Sequence, residues 1–144
     1  MQRWMSNTRG VLLDTHIWIR LQTMSRPLSS EALKAIEKAS ASRIVYVPAI
    51  SVWEIALLTT RKRLELDIPV GRWVAEALDK PGIQILPLTT EIAIEAVTLP
   101  EPMHKDPVDR MIVASALVEQ LILITCDKPI LKFAKSIGLE CIRG

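Results

Sequence analysis

The sequence predicts an α/β fold in which a central parallel sheet of four to five strands carries helices on both faces. Three observations predict it. Short runs that are apolar at every position recur along the chain, as strands buried on both faces of a parallel sheet require. A helical pattern follows these runs, and strands alternating with helices pack as parallel sheets with helical crossovers. The length, 144 residues, fits one domain with a real core and calls for no second one.

Taken in order, residues 1–10 (MQRWMSNTRG) carry arginines but no apolar stretch, so they are not a secretory signal. They read as a frayed, disordered N-terminal extension, or as residues foreign to the native chain, since Met5 offers a second start; the domain then spans 11–144. The strands fall at 11–13, 44–47, 83–86, 121–124 and, more weakly, 140–142, each brief and bounded by Pro or polar residues. SSEALKAIEKA sets Leu33, Ile36 and Ala39 at helical spacing behind Ser29 or Ser30 as a cap. A helix runs from Ser51 into the Arg61 to Arg63 cluster, and another covers 70–80. TTEIAIEAVTL and PVDRMIVASALVEQ supply two more, and KPILKFAKSIG ends at Gly138, a residue suited to a C-cap. The one substantial loop is LPEPMHKDP, where Pro100 and Pro102 flank Glu101.

Composition bounds the function. Apolar stretches such as MIVA and LILI fall far below the ~20 residues of a membrane span. Cys126 and Cys141 are the only cysteines and follow no pattern, which favours reduced thiols in a cytoplasmic protein over a disulfide framework. A net charge of +2 does not by itself advertise nucleic acid. With 49% hydrophobic residues in so small a domain, some apolar surface stays exposed unless an oligomer or a bound protein covers it.

The acids are more informative. In an open parallel sheet, ligands bind outside the carboxyl ends of the strands. Asp14 directly follows the first strand, Asp127 follows the fourth, and Glu54 lies in the first turn of the helix after the second. Asp106 and Asp109 flank the start of the helix that leads into the fourth strand, and a regular crossover brings that start to the same edge. Each acid also has an ordinary explanation. Ser51 and Glu54 fit a capping box, Asp106 before Pro107 is a good N-cap with Asp109 at N3, Asp127 is cap-like, and Asp14 can begin a turn. Capping does not explain four acids at one edge. Two carboxylates ~5 Å apart at an effective dielectric of ~20 repel by roughly 3 kcal/mol, so the cluster calls for a cation. All-oxygen donors suit Mg²⁺ or Mn²⁺. Zinc fits poorly, because His16 and His104 are the only histidines and neither has a Cys or His partner at ligand spacing. A hard divalent ion held this way can activate water and stabilise charge on a phosphoryl group. No nucleophile triad or glycine-rich phosphate loop competes.

LLDTHIWI, SVWEIALL, HKDPVDRMIVASAL and LITCDKPIL, in this order, resemble the PIN-domain nucleases. They are most similar to the VapC-type toxins, in the branch that carries DTH first and a DPxDR helix start later. The resemblance implies a three-layer α/β/α sandwich and a Mg²⁺- or Mn²⁺-dependent endoribonuclease, the toxin of a type II toxin-antitoxin system. Its metal-site acids would be Asp14, Glu54, Asp109 and Asp127. Asp106 belongs to the extended motif. Thr125 matches a hydroxyl residue that holds a water or a neighbouring carboxylate, and His16 belongs to the pattern in a packing, orienting or catalytic role. It also implies two macromolecular partners, RNA and a cognate VapB-type antitoxin, and a homodimer.

For RNA the basic candidates are Arg20, Arg26, Arg61, Lys62, Arg63, Lys105, Arg110 and Lys128, each of which is otherwise a solvated helix charge; Arg110 can also pair with a site carboxylate. Trp4, Trp18, Trp53 and Trp73 could stack bases, but Trp18 and Trp53 sit in helical patterns beside the acids and read as core. Haloacid-dehalogenase-like phosphatases need a second aspartate where this chain has His16, and a receiver domain needs an aspartate that IQILPLTT lacks. The serious alternative is a non-catalytic PIN-fold module that binds RNA or protein.

Overall fold

The alternation of apolar runs resolves into five parallel strands. The computed structural model describes residues 9–101 and 103–144; residues 1–8 of the expected extension, with Trp4 and Met5, and Pro102 of the long loop lie outside the described residues. β1 (Val11–Leu13), β2 (Val45–Pro48), β3 (Ile83–Leu86), β4 (Ile122–Thr125) and β5 (Cys141–Arg143) lie in the order β3-β2-β1-β4-β5. Every neighbouring pair is parallel, with Val11 opposite Val45 on one side and Ile122 on the other. β2, β4 and β5 each sit one residue later than the apolar runs predict. Backbone pairing sets the ends: Pro48 still pairs with Leu86 and Thr125 with Arg143.

Among the described residues seven helices cover the sheet: α1 (Thr15–Thr23), α2 (Ser30–Ala41), α3 (Ala49–Thr60), α4 (Val70–Leu78), α5 (Thr90–Thr98), α6 (Pro107–Glu119) and α7 (Lys128–Ile137). Because successive strand residues point to opposite faces, β1 feeds two cores. Val11 and Leu13 pack with Ile17, Trp18, Ile36 and Trp73, whereas Leu12 packs with Val108, Ile112, Ile130 and Phe133. The result is the expected three-layer α/β/α sandwich. Ser29 caps α2 by accepting from the N–H of Ala32, and Gly138 closes α7 at φ 74°.

Two local expectations fail in α3. The helix begins at Ala49 with Pro48 as its N-cap, so Ser51 is no cap and Glu54 lies in the second turn, not the first. Ser51 is buried and accepts a hydrogen bond from the Thr15 hydroxyl at 2.9 Å. Trp53 is not core: it is 54% exposed, while Ser51 and Ile55 take the buried face of the same helix. Trp18 and Trp73 are the buried pair, edge to face with ring centroids 5.3 Å apart. Apolar side chains left in solvent include Met24, Leu33, Ile94 and Val97, as the composition predicts. No helix among the described residues is long and apolar enough to cross a membrane, and both cysteines are free thiols.

Gly82 turns the chain into β3 at φ +83°, and a Cβ there would stand 2.3 Å from the Ser40 hydroxyl and 2.6 Å from its carbonyl oxygen. Gly82→Ala should therefore lower stability by about 1–3 kcal/mol. Gly71→Ala, in α4 with nothing within 4 Å of the added carbon, should raise it by about 0.5–1 kcal/mol. Urea unfolding of the two variants checks the contrast.

Candidate active site

β1 and β4 are neighbours, yet the chain leaves β1 towards β2 on one side and leaves β4 towards β5 on the other. That divergence opens a crevice at their carboxyl ends. Asp14 follows β1 there, its N–H still bonded to the Ile124 carbonyl at 3.1 Å, and Asp127 follows β4. α6 runs back against β4, so its start reaches the same edge.

Three helices begin at the crevice, each capped by an aspartate. Asp14 Oδ1 accepts from the N–H of Ile17 at 2.9 Å. Asp106 Oδ1 accepts from Val108 at 2.9 Å and Asp109 at 3.2 Å. Asp127 Oδ2 accepts from Ile130 at 2.9 Å. The ordinary capping role thus holds for all three, and it accompanies their convergence.

Hydroxyls tie the cluster together. Thr125 Oγ1 donates a short hydrogen bond to Asp14 Oδ2 and accepts the Asp127 N–H at 3.1 Å, so one side chain fixes both strand-end acids. The Thr15–Ser51 bond pins α3 to α1, and Glu54 follows three residues on. His104 Nε2 stands 3.3 Å from Asp109 Oδ2 and 3.9 Å from Asp127 Oδ2. His104, Asp109 and Asp127 each offer one ligand atom, all within 4.8 Å of one another. Asp14 and Glu54 stand outside that tight group and act on Asp109 through their charge.

The electrostatics record the crowding. Burial raises the Asp14 carboxyl above its ordinary 3.8, against the hydrogen bonds from Thr125 and Ile17, which favour its charged form. Asp109 is pushed up to about 7, first by burial and then by the charges of Asp106, Asp127, Glu54 and Asp14.

The other predicted residues divide. His16 is exposed on α1 and, with Arg20, Arg26 and Arg63, lines the cleft that contains Asp14 and Asp127. Arg61 and Lys62 are exposed and do not line it. Lys105 is exposed beside Ala93 and Val97 in a separate hollow. Lys128 is exposed at the first position of α7. Arg110 neither meets a site carboxylate nor keeps a hydrogen for phosphate: its five N–H groups go to the carbonyls of Ala96, Val97, Leu99, Met103 and His104 at 2.8–3.2 Å. The residue that the sequence reasoning missed is His104, set aside because it lacked a zinc-type partner. Its position in the loop just ahead of the Asp106–Pro107 helix start was the available signal.

The sequence matches the PIN domain family over residues 11–136. This chain belongs to the PIN domain family. It is 35% identical over 118 residues to Ribonuclease VapC22 of Mycobacterium tuberculosis (strain ATCC 25618 / H37Rv), covering 82% of this chain and 87% of that one. In fold it is similar to a toxin-antitoxin complex from Klebsiella pneumoniae (TM-score 0.62, 22% identity, 92% of this chain and 96% of that one). It is also similar to DNA-bound VapBC from Salmonella typhimurium (TM-score 0.66, 15% identity, 94% and 98%).

In this PIN domain the donor set fits a divalent ion: Asp109 and Asp127 offer carboxylate oxygens to one point, and Asp14 and Glu54 deepen the negative field around it. Without a cation, burial and then crowding penalise the ionised Asp109 in the fold. Unfolded Asp109 ionises near 3.8 and folded Asp109 near about 7, so the folded form binds the extra proton and stability falls as pH rises between those values. Urea unfolding in EDTA should show that fall for the wild type and a shallower one for Asp109→Asn. Equal slopes would contradict the raised Asp109 carboxyl.

Proposed function

We propose that this chain is a metal-dependent endoribonuclease, the toxin of a toxin-antitoxin pair, which hydrolyses RNA phosphodiesters at the crevice between β1 and β4. The observation that carries the reading is the arrival of Asp14, Asp109 and Asp127 from three separate elements at one edge, where burial first and the neighbouring acids second raise Asp109 to about 7. The relative at 35% identity is named a ribonuclease, which supports the same chemistry. The non-catalytic alternative would be favoured by the loss of one of the four acids, and all four are present.

Oxygen donors of this kind suit Mg²⁺ or Mn²⁺. Held there, such an ion supplies positive charge at the phosphoryl oxygens and makes water a better nucleophile. The chain's own part is positional. Thr125 and the N-terminus of α1 hold Asp14 in one orientation, α6 presents Asp109, and α7 fixes Asp127. Arg20, Arg26 and Arg63 stand on the wall of the same cleft and receive the phosphates flanking the scissile one, which sets register without reading sequence.

The antitoxin partner is supported by structural neighbours named as toxin-antitoxin complexes. A fitting seat for an apolar segment lies next to the site, where Leu21, Met24, Leu28 and Leu33 form a groove that shares Arg20 and Arg26 with the acidic cleft. Ile94 and Val97, exposed on α5, are available to a second copy in a homodimer. Reduced Cys126 and Cys141 fit a cytoplasmic location.

Asp14→Asn should lower RNA cleavage about a hundredfold or more and leave the circular dichroism spectrum and melting transition of a folded domain; wild-type turnover in Mg²⁺ or Mn²⁺ would defeat the proposal. With RNA kept intact in the Asp14→Asn background, replacing Arg26 and Arg63 by Ala should flatten the plot of log affinity against log salt by about 0.7 for each phosphate no longer neutralised. Replacing Arg61 and Lys62 should leave that slope unchanged. Fluorescence anisotropy over a salt series makes the comparison.

A further inference from the structure

We propose that His104 is a positioning residue of the acidic centre: its Nε2 stands against Asp109 and close to Asp127, and Arg110 fixes the loop that delivers it. The proposal rests on the metal-dependent nuclease reading above and adds to it a residue outside the four acids.

The loop between α5 and α6 is held at its base by one side chain. Arg110 lies in the first turns of α6 and turns its planar fork back onto five carbonyls. Those of Ala96, Val97 and Leu99 belong to the end of α5, where carbonyls lack intrahelical partners. The other two belong to Met103 and to His104 itself. Met103 is buried in the core, so the backbone at His104 is fixed by a packed neighbour on one side and by the guanidinium underneath. A lysine, with three donors on a point charge, could not hold all five carbonyls.

The ring is oriented as well as placed. The backbone N–H of Asp106 donates to His104 Nδ1 at 3.4 Å. A nitrogen that accepts carries no hydrogen, so a hydrogen on this ring sits on Nε2. Nε2 itself stands 3.3 Å from Asp109 Oδ2 and 3.9 Å from Asp127 Oδ2. Asp109 comes from α6 and Asp127 from the end of β4, so a positively polarised N–H edge placed beside both opposes the mutual repulsion that would spread the crevice. The same tautomer leaves Nε2 no lone pair for a cation. His104 therefore acts on the metal site through the carboxylates, in the manner of the partners that orient ligands elsewhere. Asp106 serves twice: its side chain starts α6 and its N–H sets the imidazole.

Mn²⁺ titration calorimetry and pulsed electron paramagnetic resonance on the full chain test this. His104→Ala should weaken Mn²⁺ binding about 10- to 100-fold, at an unchanged melting temperature, and lower kcat with little change in KM for RNA. His104→Gln, whose amide N–H can donate towards the same carboxylates, should recover most of the affinity. The Mn²⁺-loaded wild type should show no histidine nitrogen coupling. Wild-type Mn²⁺ affinity in His104→Ala would overturn the proposal, as would equal losses in His104→Ala and His104→Gln. Nitrogen coupling that disappears in His104→Ala would overturn it in favour of direct ligation. A wild type that binds no Mn²⁺ would overturn both this proposal and the metal-dependent reading, whereas the other adverse outcomes leave that reading standing.

Discussion

Repulsion among carboxylates gathered at one end of a sheet is the constraint on which this molecule depends. Each close pair costs roughly 3 kcal/mol when nothing intervenes, and a small domain has only about 5–15 kcal/mol of net stability to set against several such pairs. The fold meets part of that cost by placing the acids where helices begin. Asp14, Asp106 and Asp127 each accept helix N–H groups, and the positive end of a helix favours a nearby anion by about 0.3–1 kcal/mol. Asp109 caps nothing and accepts no backbone N–H among the described residues, and it is driven up to about 7, first by burial and then by its neighbours' charges. Asp14 is raised by burial even with its hydrogen bonds in place, so both side chains gain from a cation.

Capping and ligation are usually weighed as alternatives for an aspartate at a helix start. Here they cooperate. The cap uses one carboxylate oxygen and fixes the side-chain torsion, which leaves the group aimed at the crevice. Asp14 shows the arrangement most fully: Oδ1 takes the helix N–H, Oδ2 takes the Thr125 hydroxyl, and each oxygen retains a further lone pair. Thr125 in turn receives the Asp127 N–H, so the ends of β1 and β4 are joined through one hydroxyl. A site assembled from caps inherits the rigidity of the helices it starts, and rigidity is what a constellation of like charges needs.

The sheet was legible because strands buried on both faces carry few polar residues, and β1, β2 and β4 appear as almost unbroken apolar runs, with Gln84 of the more exposed β3 as the interruption. The acids followed from the same reading, since Asp14 comes immediately after VLL and Asp127 shortly after LILIT. α3 was harder to read. Its sequence, AISVWEIALLTT, is apolar on nearly every face, so periodicity could not show that Ser51 and Ile55 point inward and Trp53 outward. Pro48 ends β2 and caps the helix at once, which moved the start ahead of the apparent Ser51 cap. His104 and Arg110 were illegible for another reason. Their roles depend on carbonyl oxygens and a backbone N–H in an irregular loop, and every residue carries those groups, so nothing in the side-chain pattern marks them.

The net charge of +2 conceals a separation of charge within one cleft. Asp14 and Asp127 stand against Arg20, Arg26 and Arg63, and under the proposed ribonuclease reading these two sets have opposed tasks. The acids that hold the cation repel the scissile phosphate until the cation is in place, so affinity must come from elsewhere on the substrate. Arginines gripping the flanking phosphates supply it, and binding energy from those non-reacting groups can be used to hold the reacting phosphate where it is least comfortable. Arg20 is itself restrained by hydrogen bonds to Cys126 and the Pro27 carbonyl, so its charge is placed before any ligand arrives. The cleft thus carries two opposite local fields that the weak overall charge does not reveal, and under the proposed reading it is their spacing that suits the crevice to a phosphodiester.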